Sequence, residues 1–79
     1  MMEGIVVRVM REKRYGFIRK VGIGSDAVEE YFFHADDVQG FFEDIVEDLE
    51  MKRTVKVTFE PISSPKGLRA SVVVPVAVV

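Results

Sequence analysis

The strongest constraint on the fold is the alternation over residues 54–60, with Val55, Val57 and Phe59 on one side and Lys56, Thr58 and Glu60 on the other. Period two over seven residues describes a strand with one face in a core and one in solvent. Four more short segments have strand character. Residues 4–10 are rich in β-branched side chains, 15–19 and 30–34 are aromatic, and 68–74 run into Pro75. Pro61 is expected to end the fourth strand and Pro75 the fifth, because proline cannot donate to a sheet ladder. Residues 11–14 form a polar connection, 21–26 have loop composition, and 63–67 read as a turn. The apolar tail after Pro75 is expected to pack or pair, because left exposed it would be sticky.

One stretch departs from period two. Phe42, Ile45, Val46 and Leu49 recur at helical spacing, with Glu43, Asp44, Glu47, Asp48 and Glu50 on the opposite face. The expectation is therefore all-β: a small five-stranded antiparallel barrel with a short helix between the third and fourth strands, covering an open end. At 79 residues the chain forms a single domain over 1–79, too short for a doubly wound nucleotide-binding fold or a barrel of βα units. Cysteine is absent, which excludes disulfides and thiolate metal sites. No apolar run approaches the roughly 18 residues of a membrane helix. The Met1-Met2-Glu3-Gly4 start lacks signal-peptide character, so a soluble, cytoplasmic protein is expected.

Charge is segregated. Residues 1–25 sum to +4, residues 26–51 to −10 without a single Lys or Arg, and residues 52–79 to +4. Strand parity then places Tyr15, Phe17 and Arg19 on one face, and Glu30, Phe32 and His34 on one face of the next strand. Aromatics that share a face with polar residues are expected to point outward. If the two strands pair, Tyr15, Phe17, Phe32 and His34 form one patch. Bordered by Arg8, Arg11, Lys13 and Arg14, such a patch suits single-stranded nucleic acid, whose bases stack on rings while cations follow the phosphates. Lys56 is a further candidate phosphate contact.

These residues resemble the bacterial cold-shock domain, over the chain from Gly4 to about Val74. Lys13-Arg14-Tyr15-Gly16-Phe17-Ile18 is similar to that family's Lys-Gly-Phe-Gly-Phe-Ile motif, and Tyr31-Phe32-Phe33-His34 to its Val-Phe-Val-His motif. Gly4-Ile5-Val6 matches the opening, and Pro65-Lys66-Gly67-Leu68-Arg69-Ala70 is similar to the closing hairpin. The resemblance implies an OB-fold that binds single-stranded RNA or DNA without a cofactor. It also implies action as an RNA chaperone or as a regulator of transcription or translation. Lys13, Tyr15, Phe17, Phe32 and His34 fall on the family's binding positions. Four departures accompany it: Arg8 stands in place of a surface tryptophan, Arg14 in place of a glycine, Ala35 where many members carry an aromatic, and the segment between the third and fourth strands is longer than usual and strongly acidic. Phe41 or Phe42 is a candidate for the aromatic of the loop after the third strand, although the helix sends Phe42 to the core. Binding weaker than a typical member's, or of shifted preference, is expected.

Other chemistries fit less well. Residues 22–27 match a loose G-x-G-x-x-A pattern, but a dinucleotide loop needs a βαβ unit around it. His34 with Asp36 and Asp37 lacks a second nitrogen or sulfur donor for zinc; His34 is better suited to stacking or capping, and Asp36 or Asp37 to capping a turn. The acidic run lacks the spacing of a calcium loop. Ser25, Ser63, Ser64 and Ser71 have no histidine nearby in sequence, so no enzymatic activity is expected. The alternative is a protein-interaction or dimerisation module, with the aromatic patch as its surface, the acidic segment for steering and the tail adding a strand to a neighbour. A monomer is favoured, and a homodimer is the other option.

Overall fold

A computed structural model describes residues 1–21 and 29–79. The strands are β1 (Met2–Met10), β2 (Tyr15–Lys20), β3 (Glu30–His34), β4 (Val55–Ser64) and β5 (Gly67–Val78), with a helix α1 (Phe42–Glu50) between β3 and β4. They close into a barrel in the order β1-β2-β3-β5-β4, with β4 pairing back onto β1. All pairings are antiparallel except β3 with β5, which run parallel and meet at Phe32 and Arg69. The architecture is the small closed all-β barrel that the strand periods imply, and it is OB-fold-like. The loop expected over 21–26 falls mainly outside the described residues, as does the G-x-G-x-x-A stretch at 22–27.

The alternation of residues 54–60 governs packing as expected. Val55, Val57 and Phe59 are buried and meet Val6, Ile18, Tyr31, Phe33, Ala70 and Val73 in a single core. From α1, Phe42, Ile45 and Val46 enter that core, with Leu49 packed at its margin. Phe42 meets Phe33 edge-on, with ring centroids 6.2 Å apart. The helix spacing thus closes the barrel with its apolar stripe and leaves its carboxylates outside.

Neither proline ends its strand. β4 continues through Pro61, which pairs with Ala70, as far as Ser64. Its pairing with β1 stops at Phe59, so Pro61 lies where β4 is an edge on that side and a missing N–H is tolerated. β5 continues through Pro75, opposite Val57, at a bulge where Val76 is the extra residue. The apolar tail therefore pairs: Ala77 and Val78 lie opposite Lys56 and Val55, and Thr54 and Val79 exchange backbone hydrogen bonds of 2.7 and 2.9 Å. One edge of the tail is thereby committed to β4. A second bulge in β5, between the partners of Thr58 and Glu60, contains Val72 at φ 47°, a left-handed conformation unusual for a β-branched residue.

Candidate nucleic-acid interface

The parity argument holds on both strands. Gly16 and Ile18 of β2 and Tyr31 and Phe33 of β3 are buried, while Tyr15, Phe17, Phe32 and His34 are half-buried on the outer face. The strands pair in a register that sets Tyr15 opposite His34 and Phe17 opposite Phe32. Three rings consequently cluster. Tyr15 and Phe32 have centroids 5.3 Å apart and tilted, and Phe17 stands edge-on to both at 5.9 Å. Gly16 lets the backbones close beneath them: a Cβ there would lie 2.8 Å from the Arg8 carbonyl oxygen and from the Phe33 ring.

Arg8 reaches this face through a bulge. Val6 pairs with Ile18 but Arg8 with Phe17, which leaves Val7 as the extra residue of β1. Unbroken alternation would have turned Arg8 inward beside Gly16. With the bulge it lies over Phe17, its Cζ 4.4 Å from the ring centroid. On the other side of the pair, the parallel contact of β5 brings Arg69 Cζ to 6.0 Å from the Phe32 ring. The result is a row across four strands, Arg8–Phe17–Phe32–Arg69, with a cation at each end and two rings between them.

Arg69 is the residue that sequence reasoning missed. It was visible in the closing hairpin, but its place beside Phe32 depends on a parallel β3–β5 contact that no local pattern announces. Lys66, Leu68 and Ser64 of the same hairpin join Phe17, Phe32 and Arg69 around a groove of about 500 Å³.

The remaining candidates are spread out. Lys13 lies exposed in the turn between β1 and β2, along a shallow recess that also includes Tyr15. Arg14 occupies φ 58°, so the backbone keeps the left-handed conformation that glycine adopts readily, even though the residue is arginine. Its N–H donates to the Met10 carbonyl and its own carbonyl accepts from Ala35 N–H. The Arg14 guanidinium turns towards α1, 5.9 Å from the Phe42 ring and 3.4 Å from Glu43. Lys56 lies on the outer surface of β4 opposite Ile5, in the row that continues to Arg19 and Glu30. Phe41, three-quarters exposed, is apart from the ring cluster and lines a different groove with Asp44, Asp48, Val55, Pro75 and Val78. Phe42 is core.

His34 caps the 3₁₀ turn Ala35–Asp37. Its Nδ1 accepts the Asp36 N–H at 3.1 Å, and Asp37 Oδ2 accepts the His34 N–H at 3.0 Å. With Nδ1 engaged as acceptor, the neutral imidazole carries its proton on Nε2. This holds the ring in place beside Tyr15. Asp37 Oδ2 also accepts from the Arg69 guanidinium at 3.2 Å, tying the turn to the end of the cation row. Among the described residues, no three His, Asp or Glu side chains converge as metal ligands, and no helix is long and apolar enough to cross a membrane. Compared with known proteins, the chain matches no family model and no curated protein.

Proposed function

We propose that the barrel binds single-stranded RNA or DNA in the manner of a cold-shock domain. Bases stack on Tyr15, Phe17 and Phe32 with His34 beside them, and Arg8, Arg11, Lys13, Arg14, Lys66 and Arg69 contact phosphates. One observation carries the reading: three aromatic rings lie together on the outside of a thin-cored barrel, with an arginine at each end of their row. Rings that are left outside forgo burial, and stacking on bases recovers that contact area. Single strands are preferred because duplex bases hide their faces. Favouring the unpaired strand melts weak pairing without ATP, which is the action of an RNA chaperone. Fixed π-faces and charges suffice, so no catalytic step or cofactor enters the reading.

The test is fluorescence anisotropy of a short labelled oligothymidylate and a matched duplex, at low and moderate salt. Binding of the single strand alone, weakened as salt rises, supports the proposal. Binding of neither at low salt refutes it. One observation favours a second reading, an interaction between proteins: the exposed Phe41 beside Pro75 and Val78 in a groove rimmed by Asp44 and Asp48. Self-association in sedimentation that Phe41→Ser abolishes would support that reading.

A further inference from the structure

Four arginines around the ring cluster are already occupied. Arg8 pairs with Glu30 at 3.1 Å, Arg11 with Glu50 at 2.9 Å, Arg14 with Glu43 at 3.4 Å and Arg69 with Asp37 at 3.2 Å. All four carboxylates come from residues 26–51, the segment that sums to −10. The pairing is set by the fold and not by sequence proximity. α1 lies against the turn between β1 and β2, so that its first and last turns reach Arg14 and Arg11, while Glu30 of β3 reaches across Phe17 to Arg8. The Arg8 guanidinium is thereby held over the face of Phe17 that a base would use.

We infer that the acidic segment is an intrachain competitor for the phosphate backbone and holds down the affinity of the interface for single strands. This rests on the proposed nucleic-acid reading. A carboxylate and a phosphate bind the same guanidinium donors, so each arginine must leave one to take the other. The displaced carboxylate cannot diffuse away. It stays tethered beside the incoming phosphate, repels it and draws back solution cations. Two consequences follow. Affinity is lower than the ring cluster and its cations alone would give, and fewer cations are released on binding than the number of arginines implies, which flattens the salt dependence.

The experiment compares wild type with Glu43→Gln/Glu50→Gln and with Asp44→Asn/Glu47→Gln, by anisotropy of a labelled oligothymidylate across a salt series. Both double variants remove two negative charges from the exposed side of α1. Only the first releases arginines, since Asp44 and Glu47 make no ion pair among the described residues. The first is expected to bind about 2- to 25-fold more tightly at low salt, from two exposed pairs at about 1.4- to 5-fold each. Its plot of log K against log salt is expected to steepen by up to about 1.4, at about 0.7 per cation freed on a single strand. The control is expected to stay within about twofold and to keep the wild-type slope. If the wild type binds and the two double variants behave alike, the inference is overturned while the nucleic-acid reading stands. If neither the wild type nor any variant binds, both are overturned.

Discussion

Phe32 and Phe33 are neighbours on β3 that point in opposite directions, and replacing each with alanine separates binding from folding. Phe33 is fully buried, and its truncation is expected to cost about 3–5 kcal/mol in transfer and cavity terms. A domain of this length has about 4–12 kcal/mol of stability at about 0.05–0.15 kcal/mol per residue, so Phe33→Ala removes a large part of it. Phe32 is half-buried and touches the rings of Tyr15 and Phe17. Losing those edge contacts is expected to cost about 1–2 kcal/mol of stability, a drop in Tm of about 4–16 °C for a domain this small. The same substitution removes a central stacking surface worth about 1–3 kcal/mol per base, which weakens binding about 5- to 150-fold. Thermal melting by circular dichroism and anisotropy with a labelled oligothymidylate read the two effects on one sample. The reasoning fails if Phe32→Ala destabilises as much as Phe33→Ala, or if it stays folded and binds within about twofold of wild type.

Two further outcomes concern the scaffold. Val72→Gly is expected to raise Tm by about 2–8 °C, because relief of about 1–2 kcal/mol of left-handed strain exceeds the added backbone entropy of glycine at a half-exposed bulge; an unchanged or lower Tm contradicts this. Burial raises the Tyr31 phenol above 10.0, helped by its hydrogen bond to Glu29 and by the charge of that carboxylate. The folded state therefore holds its proton more tightly, and the Tyr31 contribution to stability is full below pH 10 and is lost as pH rises through the raised folded value. Melting as a function of pH checks this, with Tyr31→Phe flattening the alkaline decline.

Strand parity made the ring cluster legible in the sequence, because Tyr15, Phe17 and Phe32 share faces with polar neighbours on two consecutive strands. The helix was equally legible from Phe42, Ile45, Val46 and Leu49. The prolines misled, since their cost depends on whether an N–H has a partner across the sheet, and that is a tertiary fact: Pro61 lies beyond the reach of β1 and Pro75 at a bulge. Arg69 was obscured by the parallel β3–β5 contact. The ion pairs were hidden most completely. Charge segregation along the chain announced opposite charges but not their meeting, because Arg14–Glu43 and Arg11–Glu50 depend on where α1 sits against the β1–β2 turn.

Arg8 is where scaffold and site meet most directly, and Arg8→Trp tests what the bulge at Val7 is for. The bulge turns residue 8 outward over Phe17, and the side chain there is more than half exposed, so an indole fits without entering the core. Glu30 would lose its partner but lies directly opposite Arg19, so a cation remains close by. An indole adds a stacking surface worth about 1–3 kcal/mol, while loss of the cation makes the plot of log K against log salt shallower by up to about 0.7. Because Glu30 already engages that cation, its loss is expected to matter less than the gain in stacking. Arg8→Trp should therefore bind an oligothymidylate about tenfold more tightly at moderate salt, with an advantage that grows as salt rises. The natural chain contains no tryptophan, so emission from the variant reports on this position alone, and stacked bases should quench it in step with anisotropy. Weaker binding at every salt concentration, or binding without quenching, would mean that residue 8 lies outside the path of the strand.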